Sequence, residues 1–184
     1  MLTIREKADT VATLRHASVW AMEALARWIP TTPELEAKIC FGRHVWEFAQ
    51  HADLLGRRTA ELRAAPHFSL APVPAYAALL AELAGTAATP ARVAGFYEGF
   101  VPELARRYQA YMDATDHLLD DPSIRLMERA VTDLGRLGRE ARALVAERPD
   151  LADATTGPAW EARARAVTGW VAFRPAPATP EPLA

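Results

Sequence analysis

Cysteine is almost missing from this chain, and the single Cys40 excludes an internal disulfide framework and any metal site built from several thiolates. Lysine is nearly as scarce. Lys7 and Lys38 stand alone beside many arginines, and no Lys/Arg cluster marks a nucleic-acid face or an anionic-membrane anchor. No apolar run approaches the roughly 20 residues of a membrane span, and the residues from Met1 to Asp9 carry charges where a secretory signal needs an apolar stretch. These absences predict a cytoplasmic protein that partners neither nucleic acid nor membrane. No repeat of solenoid period is visible, and neither proline nor glycine interrupts Leu2 to Ile29.

What is present suits one domain. The 184 residues are 51% hydrophobic and 24% charged, with a net charge of -2, which is enough chain to bury a substantial core. The Ala/Arg/Pro-heavy usage resembles proteins of GC-rich bacterial genomes. From Lys38 to Arg63 the helical period of about 100 degrees per residue places Phe41, Val45, Phe48, Ala52, Leu55 and Leu62 on one stripe. Arg43, Gln50, Asp53 and Arg57 lie opposite. One flank holds Gly42, Ala49, Gly56 and Ala60, small enough for a neighbouring helix to come close. The other flank holds Cys40, His44, Glu47, His51 and Leu54, and it is the cluster with chemical capacity.

The remaining elements follow from punctuation. A first helix runs from Leu2 to Ile29 with Ile4, Val11, Met22, Ala26 and Ile29 on its inward face, and Asp9, His16, Glu23 and Arg27 on a solvated one. Thr32 before Pro33 and Glu34 predicts an N-cap for the second helix. Ala64 to Pro90 is a long crossover holding a short helix around Tyr76 to Leu83. A third helix extends from Thr89 or Pro90 to about Leu119, kinked at Pro102, with Tyr97, Tyr108 and Tyr111 turned inward. The run Asp120-Asp121-Pro122-Ser123 predicts an Asp N-cap with proline at the next position, opening a fourth helix that ends near Glu147, with Met127, Val131, Leu134, Leu137, Ala141 and Val145 inward. Asp133 and Glu140 fall off that stripe. A short helix follows within Pro158 to Trp170. The domain is predicted to span 1–173, and 174–184, with four prolines, to be a disordered tail.

Two helical hairpins joined by a long crossover make the chain all-α, and their order matches a four-helix bundle with one long connection. The stretch His44-Val-Trp-Glu-Phe-Ala-Gln-His51-Ala-Asp, running on to Glu61-Leu-Arg63, and the helix opening Asp121-Pro-Ser-Ile-Arg-Leu126 resemble a bacterial branch of the ferritin-like superfamily, over roughly Leu2 to Glu147. That resemblance implies inward carboxylates and Glu-x-x-His motifs for two metal ions. The chain departs from it: Glu47 is followed at the third position by Gln50, and the matching positions of the fourth helix hold Leu134 and Leu137. A degenerate di-iron site is expected, with no metal and no cofactor.

The candidate catalytic residues are therefore His44, Glu47 and His51, with Glu47 fixing an imidazole tautomer between the two histidines. Tyr97, Tyr108 and Tyr111 are the candidate ligand-binding wall, or core aromatics with their hydroxyls at the rim. Cys40, one turn from His44, reads as a small buried hydrophobe. Trp20, Trp28 and Trp46 sit on or beside polar faces, which predicts either a homodimer surface or cover by the crossover and the C-terminal helix with Trp160 and Trp170. The expected function is small-molecule binding in a bundle without its metal site, with His/Glu acid-base groups serving a metal-independent reaction. Two alternatives stay open: a non-haem metal-dependent oxidase or oxygenase with a noncanonical site at His44, Glu47 and His51, and a non-catalytic structural or partner subunit.

Overall fold

The computed structural model describes residues 2–175, and those residues are helical apart from turns and one isolated bridge between Pro72 and Val171. Helix α1 (Ile4–Trp28) begins with a capping box in which Thr3 and Glu6 bond each other's backbone and side chain. A 3-10 turn, Ile29–Thr31, ends it at Pro30. The expected N-cap at Thr32 is corrected: its hydroxyl donates to the Trp28 carbonyl at 2.8 Å and closes α1 instead. Helix α2 (Leu35–Glu61) starts from Glu34 without a side-chain cap.

The pair α1 and α2 is antiparallel, with Arg15 beside Gly56 and Trp28 beside Phe41. The inward face of α1 is the expected one only in part, with Met22 and Ile29 half-buried against the core. Val11, Leu14, Ala17, Ser18, Ala21, Leu25 and Trp28 are buried, whereas Ile4 is 49% exposed and Ala26 faces solvent. Packing selects small residues here because α1 is enclosed by α2 on one side and α5 on another, so Ala and Ser allow the approach that Ile and Met would block. Asp9 is also corrected. It is fully buried and takes the Arg174 guanidinium, so a residue expected in the tail is anchored to α1. The rest of that expected tail, 176–184, lies outside the described residues.

The crossover carries α3 (Pro74–Ala84), as expected. The third long helix is broken into α4 (Thr89–Ala94), a π-helical segment (Gly95–Phe100) and α5 (Val101–Ala114), short of Leu119. Pro102 has no N–H to give to the turn before it, and the backbone there widens so that the Val101 N–H reaches the Phe96 carbonyl. A π segment thus takes the place of the expected kink. Helix α6 (Asp121–Glu147) returns antiparallel to both α5 and α2, and α2 and α5 run in the same direction. After a 3-10 turn, Pro149–Leu151, helix α7 (Thr156–Ala166) crosses the π segment at Gly99 and Gly157, where a Cβ on Gly99 would lie 3.0 Å from the Gly157 carbonyl. Arg107 holds the end of α7 through the Ala164 and Val167 carbonyls.

Phe41, Phe48, Phe96, Phe100 and Trp28 fill the centre, with Trp20 tilted against Phe100 at 4.8 Å. Trp28 and Trp160 are buried and donate to the Ala84 and Leu79 carbonyls. Of the three tryptophans expected on polar faces, Trp46 alone is exposed, at 65%.

One end of the bundle is tied by a buried charge. Asp120 occupies the N-cap position of α6, yet its carboxylate accepts from Tyr111, Thr115, Ser123 and Arg58 at 2.6 to 2.8 Å, with Lys7 at 3.6 Å. Burial alone would raise this carboxyl; the four hydrogen bonds outweigh it and hold the pKa at about 2. Replacing Asp120 by Ala leaves Lys7 unpaired, leaves Arg58 with Glu61 as its carboxylate partner and strips the buried Tyr111 and Thr115 hydroxyls of their acceptor, and is expected to cost about 3–5 kcal/mol in urea denaturation. The folded pKa is depressed, so the Asp120 contribution is complete above about pH 4 and is lost as pH falls toward 2. A loss below about 1 kcal/mol would show that the cluster does not hold this end together.

Candidate functional site

His44 and His51 lie two turns apart on α2 and are both buried, at 0% and 2% exposure. Each meets a carboxylate of α6: His44 Nε2 is 3.0 Å from Glu140 Oε2, and His51 Nε2 is 3.2 Å from Asp133 Oδ2. These two acids are the ones that fall off the apolar stripe of the fourth helix in the sequence. Asp133 and Glu140 flank the apolar stripe on the side that turns toward α2.

The hydrogen bonds select the protonation state of His44. A carboxylate can only accept, so Nε2 carries the proton, and Nδ1 is left to accept from the Tyr97 hydroxyl at 2.7 Å. Burial lowers the His44 pKa against the opposing pull of Glu140, which agrees with a neutral ring. The hydrogen bond from His44 in turn lowers the Glu140 carboxyl, and burial holds the Tyr97 phenol well above its usual value. Tyr97, His44 and Glu140 form a donor–acceptor line that starts in the core and ends at a carboxylate 37% exposed.

Glu47 is placed differently from the expected relay. Its carboxylate pairs with Arg136 at 2.9 Å instead of standing between the histidines. Arg136 also reaches Glu140 at 3.1 Å and Asp133 at 3.4 Å, so one guanidinium holds together three acids from two helices. His51 is also lowered by burial, and its Nδ1 has no hydrogen-bond partner among the described residues. Cys40 lies 3.7 Å from both His44 Nδ1 and the Tyr97 hydroxyl. Burial pushes this thiol up, and Tyr97 already occupies the nitrogen that would take its proton, so the pair lacks the activation a nucleophilic thiolate needs.

The three tyrosines do not share a wall. Tyr108 is fully buried and faces Ser18 at 3.4 Å, and Tyr111 belongs to the Asp120 cluster at the far end. Tyr97 is the one that meets the histidines. It also lines an open groove of about 530 Å³ between the π segment with α5 on one side and α6 on the other, with Val101, Ala105, Val131 and Leu134 as apolar wall and Arg142 at the rim. Among the described residues, no group of three or more His, Cys, Asp and Glu side chains converges as a metal-ligand set, and no helix is long and apolar enough to cross a membrane. The chain matches no protein-family model, no curated protein and no solved structure.

Sequence reasoning did not pair Glu140, Asp133 and Arg136 with the α2 flank. The signal was there in outline: acids at 133 and 140 repeat the seven-residue spacing of His44 and His51, as two antiparallel helices meeting along one seam require.

The protonation state is measurable. With folded pKa values below that of a free imidazole, His44 and His51 make stability fall as pH drops below about 6.5, because the unfolded chain takes up protons that the folded chain does not. His44→Gln is expected to flatten the slope of unfolding free energy against pH between about 6.5 and 5, and long-range nitrogen NMR is expected to show a neutral Nε2–H tautomer in the parent. An imidazolium signal for His44 at neutral pH would contradict the assignment.

Proposed function

We propose that the chain is a ferritin-like bundle whose interior binds a small organic molecule in place of a metal pair, with Tyr97, His44 and Glu140 as an acid-base line beside the binding groove. The observation that carries this reading is the double position of Tyr97, which lines the groove between α5 and α6 and hydrogen-bonds a buried neutral histidine. A buried base bonded to a half-exposed carboxylate can receive a proton from Tyr97 at Nδ1 while releasing one from Nε2 to that carboxylate. Both bonds that such a transfer needs are already formed.

The ferritin-like part draws support from connectivity. Two antiparallel hairpins are joined by a crossover with a short helix, and α2 runs parallel to α5, with His44 beside Tyr97. Leu134 and Leu137, which stand where the resemblance implies ligands, are 1% and 0% exposed. They fill with hydrocarbon the space a metal would need. Glu47 and His51 belong to the same seam as positioning groups, through Arg136 and Asp133. A second reading, a non-catalytic partner subunit, draws on the sealing of both histidines from water.

The test is binding to metal-free protein. Chelator-treated protein, verified by elemental analysis, is titrated with benzoate, phenol and indole to about 1 mM, the weak-binding range of single fragments. At least one is expected to shift the NMR signals of Tyr97, Ala105, Val131 and Leu134. Tyr97→Phe is expected to retain the shifts and to uncouple them from the titration of His44. Shifts confined to other faces, or binding that appears only when iron or manganese is restored, would defeat the proposal.

A further inference from the structure

Phe41, Phe48 and Leu55 turn the large apolar side chains of one face of α2 into the core, yet Leu35, Ile39 and Trp46 are 65%, 48% and 65% exposed. With the exposed Gly42 they form one stripe, since positions 35, 39, 42 and 46 fall within about 60 degrees of one another on a helix. The stripe stops there. Farther along the same face Asp53 and Arg57 pair with each other, so the apolar part is confined to the first half of α2.

We propose that this stripe is the contact surface for a second copy of the chain, packed antiparallel along α2. The spacing of the four positions is the same read in either direction. A two-fold axis therefore sets Leu35 against Trp46 of the second copy and Ile39 against Gly42 of the second copy, each twice. A branched side chain meets a residue without one, which lets the backbones approach, as an isologous contact requires.

Charge agrees with the same register. Glu36 and Arg43 project from one edge of the stripe, and a two-fold axis brings that edge of each helix beside the same edge of the other. Glu36 then lies about two residues, or ~3 Å along the axis, from Arg43 of the second copy. Arg43 has no ion pair or hydrogen bond from its side chain among the described residues, while Glu36 is half exposed and shares Arg148. A parallel pairing would instead carry Glu36 and Arg43 of the second copy to the opposite edge of the contact, out of each other's reach. The three apolar side chains present on the order of 400 Å² per copy, about half of the ~800 Å² each partner buries in a standard interface, and the charged edges supply the remainder.

The same stripe borders the groove between α2 and α6 that Ile39, Cys40, Arg43 and Glu140 line. A second copy seated on Ile39 and Arg43 covers one side of that groove, where the Glu140 carboxylate reaches solvent.

Sedimentation equilibrium of the full chain at about 50 μM, well above the dissociation constant of a micromolar contact, is expected to give a dimer. Ile39→Asp and Trp46→Ala are expected to give monomers with unchanged helical circular dichroism and melting, since both side chains are exposed. Glu36→Arg and Arg43→Glu should each weaken the dimer at least about tenfold, and the two together should restore it. A monomeric parent, a dimer indifferent to Ile39 and Trp46, or a double charge reversal without rescue would each overturn the proposal.

Discussion

His44 is shut away from water with both ring nitrogens taken, and an imidazole held in that way keeps one protonation state. Glu140 can only accept and Tyr97 can donate, so the ring is neutral, with its proton on Nε2. This contact also fixes register. A slip of α6 by one residue against α2 would carry Glu140 and Asp133 away from His44 and His51 together, leaving two sealed nitrogens without partners. Hydrophobic burial brings the helices together with little preference for register; the seam selects one alignment from those that burial would allow.

The two polar centres of the bundle respond to acid in opposite ways. At the Asp120 end a buried carboxylate is kept ionised by hydroxyls and by Arg58, and its contribution survives until strongly acidic pH. At the His44 seam two rings are kept neutral by burial, and mild acid is enough to penalise the folded state. A modest loss of stability therefore starts below neutrality, at the seam, while the far end stays tied. The consequence for function is local. Acid penalises the seam beside the groove before it loosens the bundle as a whole, because a protonated His44 keeps its bond to Glu140 but can no longer accept from Tyr97.

The all-helical architecture was legible in the sequence because α2 and α6 carry strong apolar periodicity and because proline punctuates every major connection. Phe41, Phe48, Leu55, Leu134 and Leu137 could be placed inward from spacing alone, and all are buried. Three features were not legible, each for a physical reason. The face of α1 is chosen by close approach, so Ala and Ser outrank Ile4. The backbone widening at Gly95–Phe100 answers a missing N–H at Pro102 that a kink could have answered equally well. Asp133 and Glu140 are half-buried polar residues whose bonds to the histidines depend on the placement of another helix, and periodicity within one helix carries no information about such partners. Of the candidate site, His44, His51 and Tyr97 were found from type and spacing. Arg136 and the α6 acids needed the tertiary fold, and Thr32 and Asp9 were misplaced because their partners, Trp28 and Arg174, are set by how the chain ends its helices and covers them.

Gly135 and Gly138 carry the argument about the groove one step further. Both stand in the middle of α6, where glycine costs about 1 kcal/mol relative to alanine. A Cβ at either position would meet no nearer atom than a flexible arginine guanidinium at 3.6 Å, so no close-packed neighbour demands glycine. Gly99 and Gly157 show the contrast, since there the crossing of α7 leaves no room for a side chain. What Gly135 and Gly138 share is the wall of the groove that Tyr97 lines. Alanine at these two positions would strengthen α6 and narrow that groove, so the helix gives up stability at the place where a ligand would gain space.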